Sequence, residues 1–220
     1  MFLKISEFKK AMKSALKTSS GLVIGNVKGH FLVHTSLWGV WVESIYATSK
    51  FKAAIVELIG DMPEEETCYR YRLEEKTLKM EYQVSYEDPY AKWKEAKDFA
   101  CEIPLVFYSS PHELAVYQIN SDRSYVTVLQ SYAAGMMSPA ELEAGMERMP
   151  GRPSVSPAGS KLYFKSDTMI YWTSIIKMSQ KAEDTIFRYL RGLDFFEEGW
   201  LPKEEEQETG EDEAAETLPY

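Results

Sequence analysis

Apolar residues near position 50 recur at helical spacing. Five of them lie three or four residues apart and predict an amphipathic helix: Phe51, Ala54, Ile55, Leu58 and Ile59. Thr48 or Ser49 can cap the start of this helix by accepting hydrogen bonds from its first free backbone N–H groups. Gly60 and Pro63 end it, because glycine adopts the left-handed exit conformation and proline cannot continue a helix.

The segments around this helix predict a repeated plan of one helix followed by strands. Ser6 can cap an earlier helix from Glu7 to about Lys17, whose apolar side includes Phe8 and Met12. Strands are predicted at 22–27, 31–35 and 39–46 after the first helix, and at 67–73 and 77–84 after the second. The motif S-x-F-K-x-A begins at Ser6 and again at Ser49, which indicates an internal repeat of about 43 residues. Chance similarity between two short amphipathic helices is the alternative.

The second part of the chain predicts a meander, two helices and an acidic end. A connector with helical character covers 86–101, and strands are predicted at 103–108, 113–119, 124–129 and 161–165. The sequence Ser138-Pro139-Ala140-Glu141 is a helix start, and three prolines make 150–159 a loop. A long helix is predicted from Asp167 or Thr168 to about Arg191.

Together these patterns predict an α+β fold. We expect a duplicated helix-plus-antiparallel-strands unit, followed by a second α+β domain with a long C-terminal helix and a disordered acidic tail. The predicted boundaries are 1–85, 86–202 and 203–220.

The charge distribution separates the tail from the rest. Residues 203–220 contain eight acidic side chains and one lysine, a net charge of −7, whereas residues 1–202 have a net charge of −2. The two cysteines, Cys68 and Cys101, lack metal-type spacing, which indicates a reduced intracellular protein. The first ten residues lack a signal-peptide pattern, and no run approaches the roughly 18 apolar residues of a membrane span. We therefore expect a cytoplasmic protein.

Catalytic and metal-binding patterns are sparse. His30 and His34 would lie on one side of a strand, but roughly 13 Å apart at strand rise, too far to share a metal ion. His112 falls in a predicted turn. The sequence lacks G-x-G-x-x-G, P-loop, H-E-x-x-H and G-x-S-x-G motifs. We expect no enzymatic activity, no cofactor and no metal.

Basic residues concentrate on the predicted helices and can contact nucleic-acid phosphates without reading sequence. The candidate residues are Lys9, Lys10, Lys13, Lys17, Lys50, Lys52, Lys92, Lys94, Lys97, Lys177 and Lys181. Surface lysines that serve solubility are the alternative interpretation. Neighbouring aromatic residues could stack on unpaired bases, although packing in the core or on a sheet is their commoner role. These are Trp38, Trp41, Tyr69, Tyr71, Tyr82, Tyr86 and Trp93.

Residues 1–85 resemble one domain of a DNA polymerase sliding clamp. The resemblance rests on Ala47-Thr48-Ser49-Lys50-Phe51-Lys52, on Met62-Pro63-Glu64-Glu65 before paired strands, and on GHFLVHTSLWGVWVES upstream. It implies a clamp-like processivity factor whose lysine-bearing helices touch DNA and which assembles into an oligomeric ring with replication proteins as partners. A second clamp domain would need more strands between Met149 and the last predicted helix. We expect such a replication accessory protein to come from a phage or mobile element.

The acidic tail leaves two alternatives open. Leu218-Pro219-Tyr220 after a run of acids resembles the partner-docking tails of single-stranded-DNA-binding proteins, which makes these three residues candidates for binding other proteins. A viral inhibitor or adaptor that binds a host protein, with the tail mimicking nucleic acid, is the second alternative. A solubilising disordered end is the simplest interpretation of the same residues.

Overall fold

The computed structural model describes residues 1–83, 85–137 and 150–197, with the side chains of Tyr82 and Gln83 left out. It is an α+β fold dominated by antiparallel strands, as the sequence predicts. The strands are β1 Leu22–Val27, β2 His30–His34, β3 Trp38–Glu43, β4 Thr67–Glu74, β5 Thr77–Gln83, β6 Asp98–Ser109, β7 His112–Ile119, β8 Tyr125–Leu129, β9 Ser154–Val155, β10 Lys161–Lys165 and β11 Met169–Ile176. The helices are α1 Ile5–Ala15, α2 Ser49–Ile59, α3 Pro89–Glu95 and α4 Gln180–Ile186, and the 3₁₀ helix Phe187–Leu190 follows α4.

The strands form one continuous antiparallel arrangement that closes on itself in part. Their order is β10-β9-β6-β7-β8-β11-β3-β2-β1-β4-β5, and β10 also pairs with β11. Six strands, from β10 through β11, therefore make a closed barrel. Strands β3, β2, β1, β4 and β5 extend from β11 as an open sheet.

Strand β11 joins the barrel to the open sheet. On one edge it pairs with β10, and on the other edge Met169–Thr173 pair with β3. Beyond these residues Ile175 and Ile176 pair with β8. Strand β11 thus has neighbours along both edges.

Helices α1 and α2 cover one face of the sheet. The Thr48 hydroxyl accepts a hydrogen bond from the Phe51 N–H, and Gly60 ends α2 at φ 95°, so both predicted ends of this helix are confirmed. Phe8 of α1 stacks on Phe51 of α2 with ring centroids 5.2 Å apart, and it meets Trp38 of β3 edge-on at 5.9 Å. The largest group of buried side chains lies between these helices and the sheet and continues into the barrel.

The opposite face is covered by two other segments. Residues 85–97, called the connector below, include α3 and lie over alternate residues of β1 and β2, among them Val23 and Leu32. Trp172 of β11 belongs to the same cluster and lies flat across Gly39, where a Cβ atom would come within 2.0 Å of the indole. Helix α4 and the 3₁₀ helix pack on β6 and β7 further along this face.

Two predictions about the second part of the chain are wrong. The long helix from residue 167 to about 191 is replaced by β11, a turn and the seven-residue α4. Its apolar positions fit helical spacing, but Met169 to Thr173 are buried on both faces between flanking strands, and aromatic and β-branched residues favour that setting. Strand β6 also begins at Asp98, inside the predicted helical connector.

Several other predictions are confirmed or lie outside the described residues. Strands β1 and β10 have the predicted bounds, and the connector contains a capped helix, α3. The predicted helix at 138–149 and the predicted disordered tail at 203–220 lie outside the described residues. The internal repeat and the three domain boundaries stay predictions.

Replacing Phe51 by alanine should destabilise the protein strongly. Its ring is fully buried and contacts Phe8, so truncation leaves a cavity between the helix pair and the sheet. We expect a loss of about 3–5 kcal/mol in the free energy of unfolding, measured by urea denaturation. The matched control is Phe99→Ala at a position 48% exposed. Equal losses in the two variants would contradict the assignment of Phe51 to the core.

Candidate nucleic-acid interface and the connector pocket

The exposed side of α1 and α2 carries six lysines. Buried positions in α1 are spaced so that Lys10 and Lys13 point to solvent, and Lys17 is exposed just after the helix. Lys9 is half-buried on the same helix. Helix α2 adds Lys50 and Lys52 near its start. We call this surface the α1–α2 face.

Two glutamates on the α1–α2 face compensate part of this charge. Glu57 of α2 pairs with Lys9 of α1 at 2.8 Å, and its pKa is lowered because it accepts a hydrogen bond from that ammonium group. Glu7 pairs with Lys10 at 2.8 Å within α1. The face retains a surplus of four positive charges over its glutamates.

The other candidate lysines lie on different surfaces. Lys92, Lys94 and Lys97 belong to the connector, which covers the sheet face opposite α1 and α2. Lys92 pairs with Glu95 at 3.5 Å, and the Lys94 ammonium lies 4.4 Å from the centre of the Tyr90 ring. Lys177 and Lys181 flank the start of α4 on the β6–β7 part of that face. The structure thus brings six of the eleven candidates together and separates five from them.

Aromatic residues are distributed unequally between these surfaces. In α1 and α2 the aromatic residues are Phe8 and Phe51, and both are buried. On the opposite face, His30, Trp41, Tyr90 and Trp93 form a continuous stack, with ring centroids 3.6, 6.1 and 5.7 Å apart. The Lys165 ammonium lies 5.2 Å from the Trp93 ring centre. We call this set the connector stack.

The remaining sequence candidates separate into core and surface residues. Trp38 and Tyr71 are buried, while Tyr69 and Tyr86 are half-buried. The side chain of Tyr82 and the tail residues Leu218, Pro219 and Tyr220 lie outside what the structure describes. Tyr90 takes part in the stack although the sequence pattern did not single it out.

A pocket of about 400 Å³ lies between the connector and the sheet. Its floor is apolar and includes Val23, Leu32 and Trp172, all buried. Arg70, Lys92 and Lys161 contribute three positive charges to its lining, and Glu87 contributes one negative charge. We call this the connector pocket. Sequence reasoning missed it because its walls come from four distant parts of the chain.

The cationic groups of the connector pocket are incompletely paired. The Nε atom of Arg70 is buried without a hydrogen-bond partner, and its Nη1 atom lies 3.8 Å from Glu81, which is nearer to Arg72 at 3.1 Å. Within the described ranges, Lys161 has no ion-pair partner.

Burial, together with the charges of Lys161 and Arg70, lowers the pKa of His34. Burial raises the pKa of Tyr163 to about 12.

The described residues give no indication of a metal centre or a membrane span. Within these ranges no group of three or more His, Cys, Asp or Glu side chains could hold a metal ion. None of the described helices is long and apolar enough to cross a membrane. Cys68 and Cys101 are free thiols, and burial raises the pKa of Cys68 to about 11.

No protein-family model and no curated protein matches this chain. Solved structures of sliding clamps show a weak likeness in the path of the chain. A DnaN sliding clamp from Bartonella birtlesii bound to griselimycin is 7% identical, with a TM-score of 0.32, over 80% of this chain and 64% of that chain. The beta subunit of a Streptococcus pyogenes DNA polymerase is 9% identical, with a TM-score of 0.30, over 80% and 64%.

A third structure is similar in the same way. A DnaN sliding clamp from Bartonella birtlesii LL-WM9 is 8% identical, with a TM-score of 0.24, over 87% of this chain and 68% of that chain. This chain spans less than two thirds of the length of the first two proteins. At these identities the function has to be argued from the side chains of this protein itself.

The stability of the protein should fall in mild acid because of His34. The unfolded chain protonates this ring below about pH 6.5, whereas burial, together with the charges of Lys161 and Arg70, lowers the pKa of the ring in the folded chain. The unfolded state therefore binds more protons, and the free energy of unfolding decreases as the pH falls below about 6.5.

The His34→Gln variant should show a shallower decrease in urea denaturation between about pH 8 and pH 5.5. His112→Gln, at an exposed position in β7, is the matched control and should keep the decrease of the original protein. An unchanged decrease in His34→Gln would show that this ring is solvated as readily in the folded chain as in the unfolded one.

Proposed function

We propose that this protein is a non-catalytic, clamp-like accessory of DNA replication that holds duplex DNA through phosphate contacts from the α1–α2 face. The observation that carries the proposal is the side-by-side packing of two lysine-bearing helices on one face of the sheet. Their apolar stripes are buried, so the lysine side chains are directed away from the core.

The chemistry of the α1–α2 face favours backbone contact over base recognition. Lysine ammonium groups are mobile point charges that neutralise phosphates without distinguishing bases. The two aromatic rings of these helices are buried and cannot stack on unpaired bases. The face is therefore suited to a double helix gripped by its charge, with affinity that falls as salt displaces the contacts.

Reversing the exposed charges of α1 should weaken duplex binding. In the Lys10→Glu, Lys13→Glu, Lys17→Glu triple variant, three phosphate contacts are lost, so the slope of log affinity against log salt should shrink by roughly three. Fluorescence anisotropy with a labelled duplex over a salt series measures this slope. Circular dichroism checks that the exposed substitutions leave the fold intact.

The connector provides the matched control for charge. Lys92→Glu, Lys94→Glu, Lys97→Glu makes the same change in net charge on the opposite face and should leave the duplex slope nearly unchanged. Equal weakening by both triple variants would mean that net charge matters and that the α1–α2 face is not the binding site. Nucleic-acid contact by these three lysines and by Lys177 and Lys181 stays a prediction from the sequence, which the duplex proposal does not use.

A second candidate function, single-stranded DNA binding, is favoured by the connector stack. Four stacked rings beside Lys94 and Lys165 form a surface of the kind on which unpaired bases stack. Repeating the titrations with oligo-dT separates the two functions. If the connector variant loses oligo-dT and the α1 variant does not, single-stranded DNA binding replaces the duplex proposal.

Assembly of several copies is supported by two strand edges. Within the described residues, β5 is bonded to β4 alone, and the part of β6 after Ala100 is bonded to β7 alone. These edges expose Met80 at 61%, Val106 at 52% and Tyr108 at 73%. We propose that β5 of one copy pairs with β6 of the next, a head-to-tail contact that forms a ring if the rotation closes.

Charge placed on the β6 edge should disperse the assembly. In Val106→Lys, Tyr108→Lys the repulsion and lost apolar contact should reduce the mass measured by light scattering to that of a single 25.3 kDa chain. Tyr189→Lys, on the 3₁₀ helix at 82% exposure, is the control away from both edges and should keep the larger mass. A monomeric original protein at micromolar concentration would contradict the proposed pairing.

Replication proteins are the proposed partners of such a clamp. The predicted partner-binding residues Leu218, Pro219 and Tyr220 stay candidates for these contacts.

A further inference from the structure

Among the last described residues, Phe195 and Phe196 contact β7 and Arg152. After the 3₁₀ helix, the Phe195 N–H donates to Oε1 of Gln118 at 2.8 Å, which fixes the chain against β7. The Phe196 ring lies 4.8 Å from the guanidinium of Arg152. Arg152 lies two residues before the start of β9, whose Ser154 pairs with Tyr163, and Tyr163 lines the connector pocket. Phe196 is thus connected to the pocket wall through Arg152, the start of β9 and the Ser154–Tyr163 pair.

The length of the remaining chain suffices to reach the pocket. A random coil of 23 residues, the number from 198 to 220, spans roughly 24–29 Å on average. Neighbouring strands lie about 5 Å apart, so the path from β9 across β10 to the pocket is shorter than this span. Docking within one chain needs no rearrangement of the sheet.

The composition of that segment is complementary to the connector pocket. Residues 203–220 contain eight acidic side chains and one lysine, and Leu218, Pro219 and Tyr220 follow the last acidic residue. The pocket has the matching arrangement, with a rim that has more positive than negative charges above an apolar floor. Arg70 and Lys161 have N–H donors available for carboxylates. Arg70 is only loosely paired with Glu81, and Lys161 has no ion-pair partner in the described ranges.

We propose that the C-terminal acidic segment docks in the connector pocket of its own chain. Leu218 and Tyr220 occupy the apolar floor beside Trp172, and the preceding carboxylates pair with Arg70, Lys92 and Lys161. The pocket is then occupied by the protein itself, and a partner protein that uses either the pocket or the segment has to separate them first.

The α1–α2 face is the competing cationic surface, but it fits the segment less well. Lys9 and Lys10 already pair with glutamates on that face. Its helices bury their apolar stripes against the sheet, so it offers no apolar floor for Leu218 and Tyr220. The connector pocket combines both requirements.

A photo-crosslinker placed in the segment tests the docking in the full chain. Tyr220→p-benzoylphenylalanine keeps an aromatic ring at this position, and irradiation followed by mass spectrometry locates its contacts. We expect cross-links to peptides that contain Tyr86, Tyr163 or Trp172. Mixing light and heavy isotope-labelled chains distinguishes contacts within one chain from contacts between copies, and the expected products contain one isotope only.

Charge variants show whether the pocket cations hold the segment. Arg70→Gln, Lys161→Gln should reduce the cross-link yield about tenfold, since two charge-assisted contacts are lost. Lys161→Gln alone, at a half-buried site, provides a milder variant if the double one does not fold. The control Lys10→Gln, Lys13→Gln removes the same charge from the α1–α2 face and should keep the yield.

Three results would overturn the proposal. Cross-links to α1 or α2 would assign the segment to the α1–α2 face, and mixed-isotope products would make the contact one between copies. An absence of cross-links to the described residues would show that the pocket does not hold the segment. The outcome does not depend on DNA, so it can fail while the proposed duplex binding holds.

Discussion

The structure depends on the pairing of β11 along both of its edges. One edge bonds to β10 and closes the barrel, while the other bonds first to β3 and then to β8. A strand placed this way has no solvent-facing edge in its first five residues, and these five are buried on both faces. Among the described strands, β11 is the one whose pairing connects the open sheet that supports α1 and α2 to the barrel.

The open sheet is covered on both faces, and it therefore separates the α1–α2 face from the connector pocket. Successive residues of β1 point to opposite faces of the sheet. Ile24 packs in the cluster under α1 and α2, whereas Val23 packs in the cluster under the connector. The lysines of α1 and the cations of the connector pocket therefore lie on opposite sides of one layer. A duplex on one side and a peptide on the other could be bound together without steric conflict.

Local sequence predicted the parts of the fold that local interactions determine. Helix α2 was predictable because Thr48 caps it and Gly60 ends it, both within a few residues of the helix itself. Strand β11 was not, since an apolar run buried on both faces has the same composition as a buried helix until its neighbouring strands are known. The lysines of α1 followed from helical periodicity. The connector pocket could not be predicted, because Arg70 and Lys161 meet only after the sheet has formed.

The contact between Trp172 and Gly39 ties the pocket to the β3–β11 junction. The indole forms part of the pocket floor and also covers the backbone of β3, where any side chain at position 39 would collide with it. A molecule that contacts this ring and binds only while the open sheet and the barrel are joined would stabilise the joined state by mass action. Glycine at position 39 therefore leaves the space that lets one indole contact both the pocket and the β3–β11 junction.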